Sequence, residues 1–399
     1  LNEFFGKYYP MEFTPESINY VEDSPDDLAI INYTSGTSGF SKGVMIPYRA
    51  VCSNLEFAVK VLPQINNTSR VVSMLPTAHM YGLMFEVLYE LTRGCHVFFL
   101  SRLPSPKIIM QALAEVKPTL VIAVPLIIEK IYKSKVKPVI ETTGIKFALK
   151  LPVLEQVIMN KIKNELINAF GGEFIEVIIG GAAFNKEVEA FFKKMEFPFT
   201  VGYGMTECAP IITYDDWKTT KLYSCGRIVP NMEMKVDSDD PQNIPGQIMV
   251  KGDNVFLGYF KNEEATKEAF TEDGWLRTGD LGYMDKKQNI FIRGRIKSMF
   301  LGASGQNIYP EEIEDKLNNQ AGVAESVVVE REGKLIGLVF PDEETTKGFS
   351  LAEVERMMKD NLKKLNDLLP SYSRVHDIEV KQEPFEKTPK KSIKRFLYK

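Results

Sequence analysis

Short apolar runs alternate with stretches of helical spacing through the first half of the chain. Runs dominated by apolar residues occur at 28–31, 70–75, 97–100, 119–124, 175–179 and 199–201. Between them, apolar residues recur every three or four positions, which predicts helices at 48–62, 106–116, 153–170 and after Asn185. Strands buried on both faces have this composition, and their alternation with helices is typical of a mostly parallel sheet with flanking helices.

The second half of the chain changes to short strands and turns. From Gly226 onward, runs at 234–236, 247–251 and 289–295 predict an antiparallel β subdomain within the same large α/β domain. Beyond it, predicted helices at 310–318 and 351–365 and strands at 326–330, 335–340 and 376–380 compose a small α+β domain. We therefore predict a large domain over 1–296 and a C-terminal domain over 297–399.

Composition narrows the class of protein. The chain has 399 residues, 44% hydrophobic and 26% charged, with a net charge of −4, which argues against a general nucleic-acid surface. Its four cysteines show no C-x-x-C spacing, and its three histidines are too scattered for a zinc site. No run approaches the roughly 18 apolar residues of a membrane span, and the start lacks the pattern of a signal peptide. These features favour a reducing, cytoplasmic location.

A stretch at 33–44, Y-T-S-G-T-S-G-F-S-K-G-V, has the composition of a phosphate-binding loop. Its glycines Gly36, Gly39 and Gly43 let backbone N–H groups approach an anion, and Lys42 adds a compact positive charge. Hydroxyl donors come from Thr34, Ser35, Thr37, Ser38 and Ser41. The order Ser-Lys-Gly differs from a Walker A loop, and the alternative is a flexible surface turn. Because a helical pattern follows, we expect the loop to join a strand to a helix.

Three predicted strands end in small or chemically reactive residues. P-T-A-H-M-Y-G occupies 76–82, G-G-A-A occupies 180–183 and G-Y-G-M-T-E occupies 202–207. Ligands of doubly wound sheets bind at the carboxyl ends of the strands. We therefore expect one crevice to collect all three segments.

Five motifs follow one another in a fixed order. They are the loop at 33–44, G-Y-G-M-T-E, W-L-R-T-G-D-L-G at 275–282, R-G-R-I-K-S at 293–298 and G-Q-N-I-Y-P-E-E-I-E at 305–314. Together they resemble the adenylate-forming (AMP-binding) superfamily, which includes acyl-CoA synthetases, nonribosomal adenylation domains and firefly luciferase. V-P-L-I-I-E-K-I-Y at 124–132 is most similar to the bacterial long-chain fatty acid:CoA ligases. The resemblance implies ATP, AMP, Mg²⁺ and coenzyme A as ligands and a mobile C-terminal domain.

The resemblance implies roles for individual residues. Glu207 would hold magnesium, Asp280 would accept both ribose hydroxyls, Tyr203 would stack on adenine, and His79 would border the acyl carboxylate. Lys42 would be the phosphate cation. The other implied nucleotide contacts are Thr34, Ser35, Gly36, Thr37, Gly39, Gly181, Ala182, Gly204, Met205, Thr206, Ile292 and Arg295.

Each of these residues also has an ordinary structural interpretation. Glu207 could cap a helix, Asp280 could stabilise a β-turn, Tyr203 could be a core aromatic and Arg295 a surface arginine. A lone histidine such as His79 is more often structural.

The chain departs from the family pattern at three points. Ser298 occupies a hinge position usually held by aspartate or lysine. In the C-terminal segment 387–395 the position of the family's catalytic lysine falls on Ser392, so Lys391 or Lys394 would have to replace it. Only 32 residues precede the phosphate loop, where family members have well over a hundred, which implies a truncated large domain.

Three functions remain open from the sequence. The first is ATP-dependent activation of a long- or medium-chain fatty acid and its transfer to CoA, with little activity expected of a fragment. The second is a nucleotide- or acyl-binding protein without turnover. The third is an acyl-adenylate ligase that loads a carrier-protein thiol.

Overall fold

The computed structural model describes residues 23–35, 41–100, 105–302, 306–388 and 393–398. Its strands, numbered in chain order, are β1 Leu28–Ser35, β2 Ser41–Pro47, β3 Arg70–Ser73, β4 His96–Phe99, β5 Val121–Ala123, β6 Val177–Ile179, β7 Phe199–Val201, β8 Tyr203–Gly204, β9 Ile211–Tyr214, β10 Arg227–Ile228, β11 Met232–Asp237, β12 Gly246–Gly252, β13 Gly258–Tyr259, β14 Leu276–Met284, β15 Ile290–Arg295, β16 Phe300–Leu301, β17 Asn307–Ile308, β18 Val323–Arg331, β19 Lys334–Pro341 and β20 Asp377–Val380.

The helices flank these strands. They are α1 Tyr48–Val61, α2 Met80–Leu83, α3 Tyr89–Arg93, α4 Pro106–Val116, α5 Pro125–Ile131, α6 Lys137–Glu141, α7 Thr143–Ala148, α8 Pro152–Ala169, α9 Lys186–Lys194, α10 Glu263–Ala269, α11 Pro310–Asn318 and α12 Leu351–Asp367. π-Helical turns occupy Met84–Leu88 and Tyr132–Val136, and 3₁₀ turns occupy Thr206–Cys208, Ser371–Ser373 and Arg395–Leu397.

A parallel arrangement of strands forms the centre of the large domain. Strands β5, β6 and β7 pair in parallel in that spatial order, and β3 pairs in parallel with β4. A parallel bridge between Val71 and Leu120 joins the two groups. All three residues of β5 are buried, as expected for a strand covered on both faces. The predicted α/β fold is therefore confirmed.

The phosphate-type loop lies in a hairpin and not between a strand and a helix. Residues 36–40 lie outside the described residues, but β1 and β2 on either side pair antiparallel, with Ser35 opposite Ser41. The expectation of a strand-to-helix loop was wrong because 41–47 forms a strand of its own before α1. Val44 and Ile46 of that strand are fully buried, and the helix predicted at 48–62 begins after it, as α1.

Antiparallel sheets follow, as predicted. Strands β11, β12, β14 and β15 form one four-stranded sheet in that order, and β8, β9 and β10 form another. Strand β13 pairs with β2 through Tyr259 and Val44, so this region also completes the hairpin sheet. That long-range pairing brings the second half of the large domain against the phosphate-type loop.

The C-terminal region has its own hydrophobic core. Strands β18, β19 and β20 form a mixed sheet, and α11 and α12 pack against it around Leu317, Val339 and Leu365. Helix α12 begins with a capping box, in which the Ser350 hydroxyl accepts from the Glu353 N–H and the Glu353 carboxylate accepts from the Ser350 N–H. These contacts build the small α+β unit that the sequence pattern predicts.

Residues 125–150 are helical, although their pattern carries no regular helical period. The π-helical turn 132–136 places Tyr132 and Val136 in the core together. The wider turn shifts the register of the apolar residues, and lysines occupy the exposed positions, so the period of 3.6 is lost.

Two buried glutamates lie one turn apart beside β3. Glu86 accepts from the Ser73 hydroxyl and from the N–H groups of Met74 and Leu75, and burial raises its pKa to about 8. The two carboxylate oxygens of Glu90 have no hydrogen-bond partner within the described ranges, and burial raises its pKa to about 9. Glu90 is therefore a neutral acid in the folded protein at pH 7.

The raised pKa of Glu90 predicts a pH-dependent stability. Between its ordinary pKa and about 9 the folded state binds more protons than the unfolded state, so the free energy of unfolding falls as pH rises through this window. We expect the free energy of unfolding of Glu90→Gln in urea to match that of the native chain near pH 5 and to exceed it by roughly 5 kcal/mol at pH 9, at about 1.4 kcal/mol for each pH unit of the window. The exposed Glu56→Gln on α1 is the matched control, and an equal pH response of both variants would contradict the assignment.

Candidate nucleotide-binding site

The three strand-end segments lie together at one edge of the parallel sheet. The Tyr81 hydroxyl, from the segment after β3, donates to the Ile178 carbonyl of β6 at 3.1 Å. A Cβ at Gly180 would lie 3.2 Å from the Tyr81 ring, so glycine allows this close contact. Asn32 of β1 donates to the Ala78 carbonyl at 2.9 Å and ties the hairpin to the same edge. The Gly202 N–H donates to the Ile179 carbonyl at 2.9 Å, so the segments 76–82, 180–183 and 202–207 meet at this edge.

Asp280 is a buried carboxylate at the centre of a polar triad. Its Oδ2 accepts a 2.7 Å hydrogen bond from the Tyr203 hydroxyl, and its Oδ1 lies 3.0 Å from Nε of Arg295. Asp280 is only 4% exposed. Burial raises the pKa of Asp280 above its ordinary value, while Arg295 and the Tyr203 hydroxyl oppose that rise. The result is an oriented carboxylate with the capacity to accept further hydroxyl donors.

The triad joins three of the sequence motifs, since Arg295 belongs to R-G-R-I-K-S. Tyr203 belongs to G-Y-G-M-T-E and Asp280 to W-L-R-T-G-D-L-G, and β14 pairs Asp280 directly with Arg295 of β15. Burial and the Asp280 charge hold the pKa of the Tyr203 phenol well above its ordinary value, so the phenol stays a proton donor. Residues 77 positions apart therefore act as one polar group.

Gly204 occupies a position that admits no side chain. A Cβ there would lie 2.1 Å from the Pro210 carbonyl oxygen, and Met205 N–H donates to that same carbonyl at 2.9 Å. Thr206, which is buried, begins the 3₁₀ turn that carries Glu207. The tight backbone of this motif fixes the direction of the Glu207 side chain.

Glu207 contacts a residue that the sequence analysis did not single out. The Tyr259 hydroxyl donates to Glu207 Oε1 at 2.8 Å, and Lys42 Nζ lies 4.7 Å from the centroid of the Tyr259 ring. Tyr259 therefore links the lysine of the phosphate-type loop to the predicted magnesium ligand. Its role depends on the pairing of β13 with β2, which no local pattern around Gly258 and Tyr259 indicates.

The remaining predicted residues lie on the segments that carry the Asp280 triad and the cluster of Glu207, Tyr259 and Lys42, or on neighbouring segments. His79 is half-buried and precedes α2, Gly181 has φ +88° and is exposed with Ala182 at the end of β6, and Ile292 is half-buried on β15 opposite Gly282. The Thr34 hydroxyl lies 3.5 Å from the Lys42 carbonyl oxygen, and Ser35 ends β1. Gly36, Thr37 and Gly39 lie outside the described residues.

Of the lysines predicted near the C-terminus, the structure describes Lys394, which pairs within the C-terminal segment and not with the triad. Lys394 Nζ pairs with Glu386 Oε2 at 3.2 Å within the C-terminal segment, while Lys391 and Ser392 lie outside the described residues. The neighbouring Arg395 pairs with Glu314 of α11. The sequence prediction for Lys391 and Lys394 thus stays a prediction.

The hinge serine has a defined partner. Ser298 Oγ donates to Glu311 Oε1 at 2.6 Å, so a hydroxyl takes part in the hinge where the family pattern has a charged group. Arg295 on the other side of the hinge belongs to the Asp280 triad. The predicted hinge segment therefore has side-chain contacts at both of its ends.

The donor set at Glu207 suits a cation that shares its ligands with phosphate. Across the described ranges no three His, Cys, Asp or Glu side chains gather in a metal-binding group. A single buried carboxylate beside a lysine fits Mg²⁺, which keeps waters and phosphate oxygens as most of its ligands.

In the same ranges no helix has the length and apolarity needed to cross a bilayer.

Comparison with known families identifies the class. The model of the AMP-binding enzyme family matches residues 6–260, and that of the AMP-binding enzyme C-terminal domain matches residues 298–398. The chain therefore belongs to the AMP-binding enzyme family, as the order of its motifs suggested.

Individual relatives show which members of the family the chain is similar to. The chain is 30% identical to long-chain-fatty-acid–CoA ligase 5 of Mus musculus over 92% of its own length and 59% of the relative. It is 28% identical to the ligase FadD15 of Mycobacterium bovis over 93% of its own length and 63% of that protein. The chain thus spans about three fifths of the length of these two relatives.

Solved structures share the fold at lower sequence identity. An ATP-bound RpMatB-BxBclM chimera superposes with a TM-score of 0.75 at 24% identity, covering 96% of this chain and 70% of that one. The o-succinylbenzoate CoA synthetase of Bacillus subtilis in complex with AMP gives a TM-score of 0.72 at 23% identity, covering 94% and 70%. These structures confirm the combination of a large α/β domain and a small C-terminal domain.

Proposed function

We propose that this chain binds ATP and Mg²⁺ and activates a fatty acid to an acyl-adenylate, which it then transfers to coenzyme A. The carboxylate oxygen of the acid attacks the α-phosphorus and pyrophosphate leaves. The CoA thiolate then attacks the acyl carbonyl and AMP leaves. Both steps place extra negative charge near phosphate or carbonyl oxygens, so they require cations and N–H donors.

One observation supports the proposal above the others. The Asp280 triad and the Glu207–Tyr259–Lys42 cluster are both carried by the G-Y-G-M-T-E segment, since Tyr203 and Glu207 lie four residues apart. A ribose and a polyphosphate belong to the same nucleotide, so their binding groups must be held at a fixed separation. A short, tightly folded segment at the edge of a parallel sheet provides that separation.

The proposed roles follow from the chemistry of each side chain. Asp280 accepts the ribose hydroxyls, Glu207 holds Mg²⁺, and Lys42 neutralises phosphate charge. The neighbouring strand end with Gly181 and Ala182 leaves the adenine ring room to pack against backbone. Tyr203 borders that space and holds Asp280 in place.

The acyl site and the second half-reaction rest on the relatives. His79 lies on the segment that contacts β6, where we place the carboxylate of the acid. Long-chain acids and CoA are the substrates named in the curated relatives, at 28–30% identity. We propose that the C-terminal domain, 297–399, rotates about Ser298 between the two steps and brings Lys391 or Lys394 to the site for adenylation.

Exchange of labelled pyrophosphate into ATP tests the first step. We expect exchange that requires both Mg²⁺ and a fatty acid, with palmitate preferred over acetate by at least about tenfold, because each buried CH₂ adds roughly 0.8 kcal/mol. Acyl-CoA formation from CoA, compared with acylation of a carrier protein, identifies the acceptor. AMP binding without any exchange would favour a binding protein. The absence of both AMP binding and exchange would refute the proposal.

A further inference from the structure

An exposed apolar ridge lies at the junction of α7 and α8. It consists of Phe147, Leu151, Val153, Leu154 and Val157, whose side chains are exposed by 68%, 44%, 79%, 45% and 61%. Turn hydrogen bonds from Lys150 N–H to the Phe147 carbonyl and from Leu151 N–H to the Ala148 carbonyl hold the two helix ends together. The five exposed side chains lie at this helix junction, and we call them the α7–α8 ridge.

Helix α8, which carries part of the ridge, is packed into the core of the large domain. Met159, Ile162 and Leu166 of α8 are buried in the core of the large domain. The sequence pattern predicts one apolar face for this helix, yet its first turns carry a second one, exposed to solvent. Packing among the described residues leaves this second face exposed, so its apolar residues are available for another contact.

Lysines surround the ridge. The segment from Lys130 to Glu165 contains eight lysines and three glutamates, a net charge of +5 in a chain whose net charge is −4. Lys146 and Lys150 flank Phe147 and Leu151 and are exposed, and Lys161 follows Val153 and Val157 along the same stripe of α8 at intervals of four residues. Glu155, within the ridge segment, pairs with Lys194.

We propose that the α7–α8 ridge docks on the surface of an anionic lipid bilayer. Protein–protein interfaces are depleted of lysine, whereas helices that lie in a membrane interface combine Phe, Leu and other apolar residues with lysines on the adjoining surface. Apolar side chains enter the boundary of the acyl chains, and the lysines remain at the level of the anionic headgroups. This surface is independent of the nucleotide site, so the inference does not rest on the proposed function.

Vesicle flotation with the full chain tests the docking. We expect binding to phosphatidylcholine vesicles that contain 30 mol% phosphatidylglycerol to be at least about tenfold tighter than to pure phosphatidylcholine, and to weaken in about 0.5 M NaCl. Val153→Ser with Val157→Ser should reduce the affinity about tenfold, and Lys146→Ala with Lys150→Ala by a similar factor. Thermal unfolding checks that the substituted proteins fold.

Matched control variants elsewhere on the surface test whether vesicle binding is specific to the ridge or comes from exposed apolar and charged residues in general. Phe349 and Leu351 are 47% and 49% exposed near the start of α12, so Phe349→Ser with Leu351→Ser removes comparable apolar surface. Lys286→Ala with Lys287→Ala removes two exposed lysines from a turn. Equal vesicle affinity of ridge and control variants would overturn the proposal. Concentration-dependent dimers in lipid-free solution that Val153→Ser with Val157→Ser abolishes would also overturn it, in favour of a protein contact.

Discussion

Glu207→Gln is expected to lower fatty-acid-dependent pyrophosphate exchange by about 100-fold to 1,000-fold, the size of effect expected when a charged group at the reacting phosphate is lost. The substitution keeps the shape of the side chain and an oxygen acceptor for the Tyr259 hydroxyl, but it removes the negative charge that attracts Mg²⁺. AMP binding, which needs no metal, should change by less than about threefold. The measurements are the exchange rate and the Mg²⁺ dependence of ATP binding by calorimetry.

Two further variants make the Glu207 result specific. Tyr259→Phe removes the hydrogen bond that orients the carboxylate and leaves its charge, so we expect a smaller loss of about tenfold. Glu263→Gln, an exposed substitution on α10 a few residues beyond Tyr259, should leave exchange unchanged. Full exchange activity of Glu207→Gln at limiting Mg²⁺ would show that the magnesium ligand lies elsewhere.

Asp280→Ala is expected to weaken AMP binding by at least about 100-fold, because each of two charge-assisted hydrogen bonds to the ribose is worth roughly 1.5 to 3 kcal/mol. It should also lower the free energy of unfolding by about 2 to 4 kcal/mol, since the Tyr203 hydroxyl and Arg295 lose their buried partner. Calorimetric titration with AMP and urea unfolding measure the two effects separately.

A second aspartate on the same sheet provides the control for Asp280. Asp285 follows β14, pairs with Lys221 at 2.8 Å and accepts hydrogen bonds from the Asn289 side chain. Asp285→Ala should therefore destabilise the chain while AMP affinity stays within about threefold of the native value. If Asp280→Ala and Asp285→Ala affect AMP binding alike, Asp280 acts only through stability and the ribose role is wrong.

The sequence predicts the parts of this molecule whose causes are local. Strands such as 121–123 are apolar throughout because both faces are covered, so the parallel sheet follows from composition. Asn185 caps α9 by accepting hydrogen bonds from the N–H groups of Glu187 and Val188, and the sequence alone predicts this cap. The motif order likewise indicated the family.

The failures concern one pairing of neighbouring strands and one pairing between distant residues. The hairpin around the phosphate-type loop was missed because Lys42 and Gly43 interrupt the alternation of β2. The partner that stabilises β2 on its other side, Tyr259, lies more than two hundred residues along the chain. Contact between Tyr259 and Glu207 follows from the same pairing, so no window of sequence could show it.

Glu311 connects two parts of the molecule that the sequence treats as separate. It accepts from the hinge hydroxyl of Ser298 at 2.6 Å and lies 3.9 Å from the guanidinium of Arg395, which also pairs with Glu314 one turn along α11. Arg395 is thereby held against α11, the helix that begins at Pro310 after the predicted hinge at Ser298. If the C-terminal domain rotates at Ser298, as we propose, α11 and residues 393–398 would move together, so the hinge angle would set the position of Lys394.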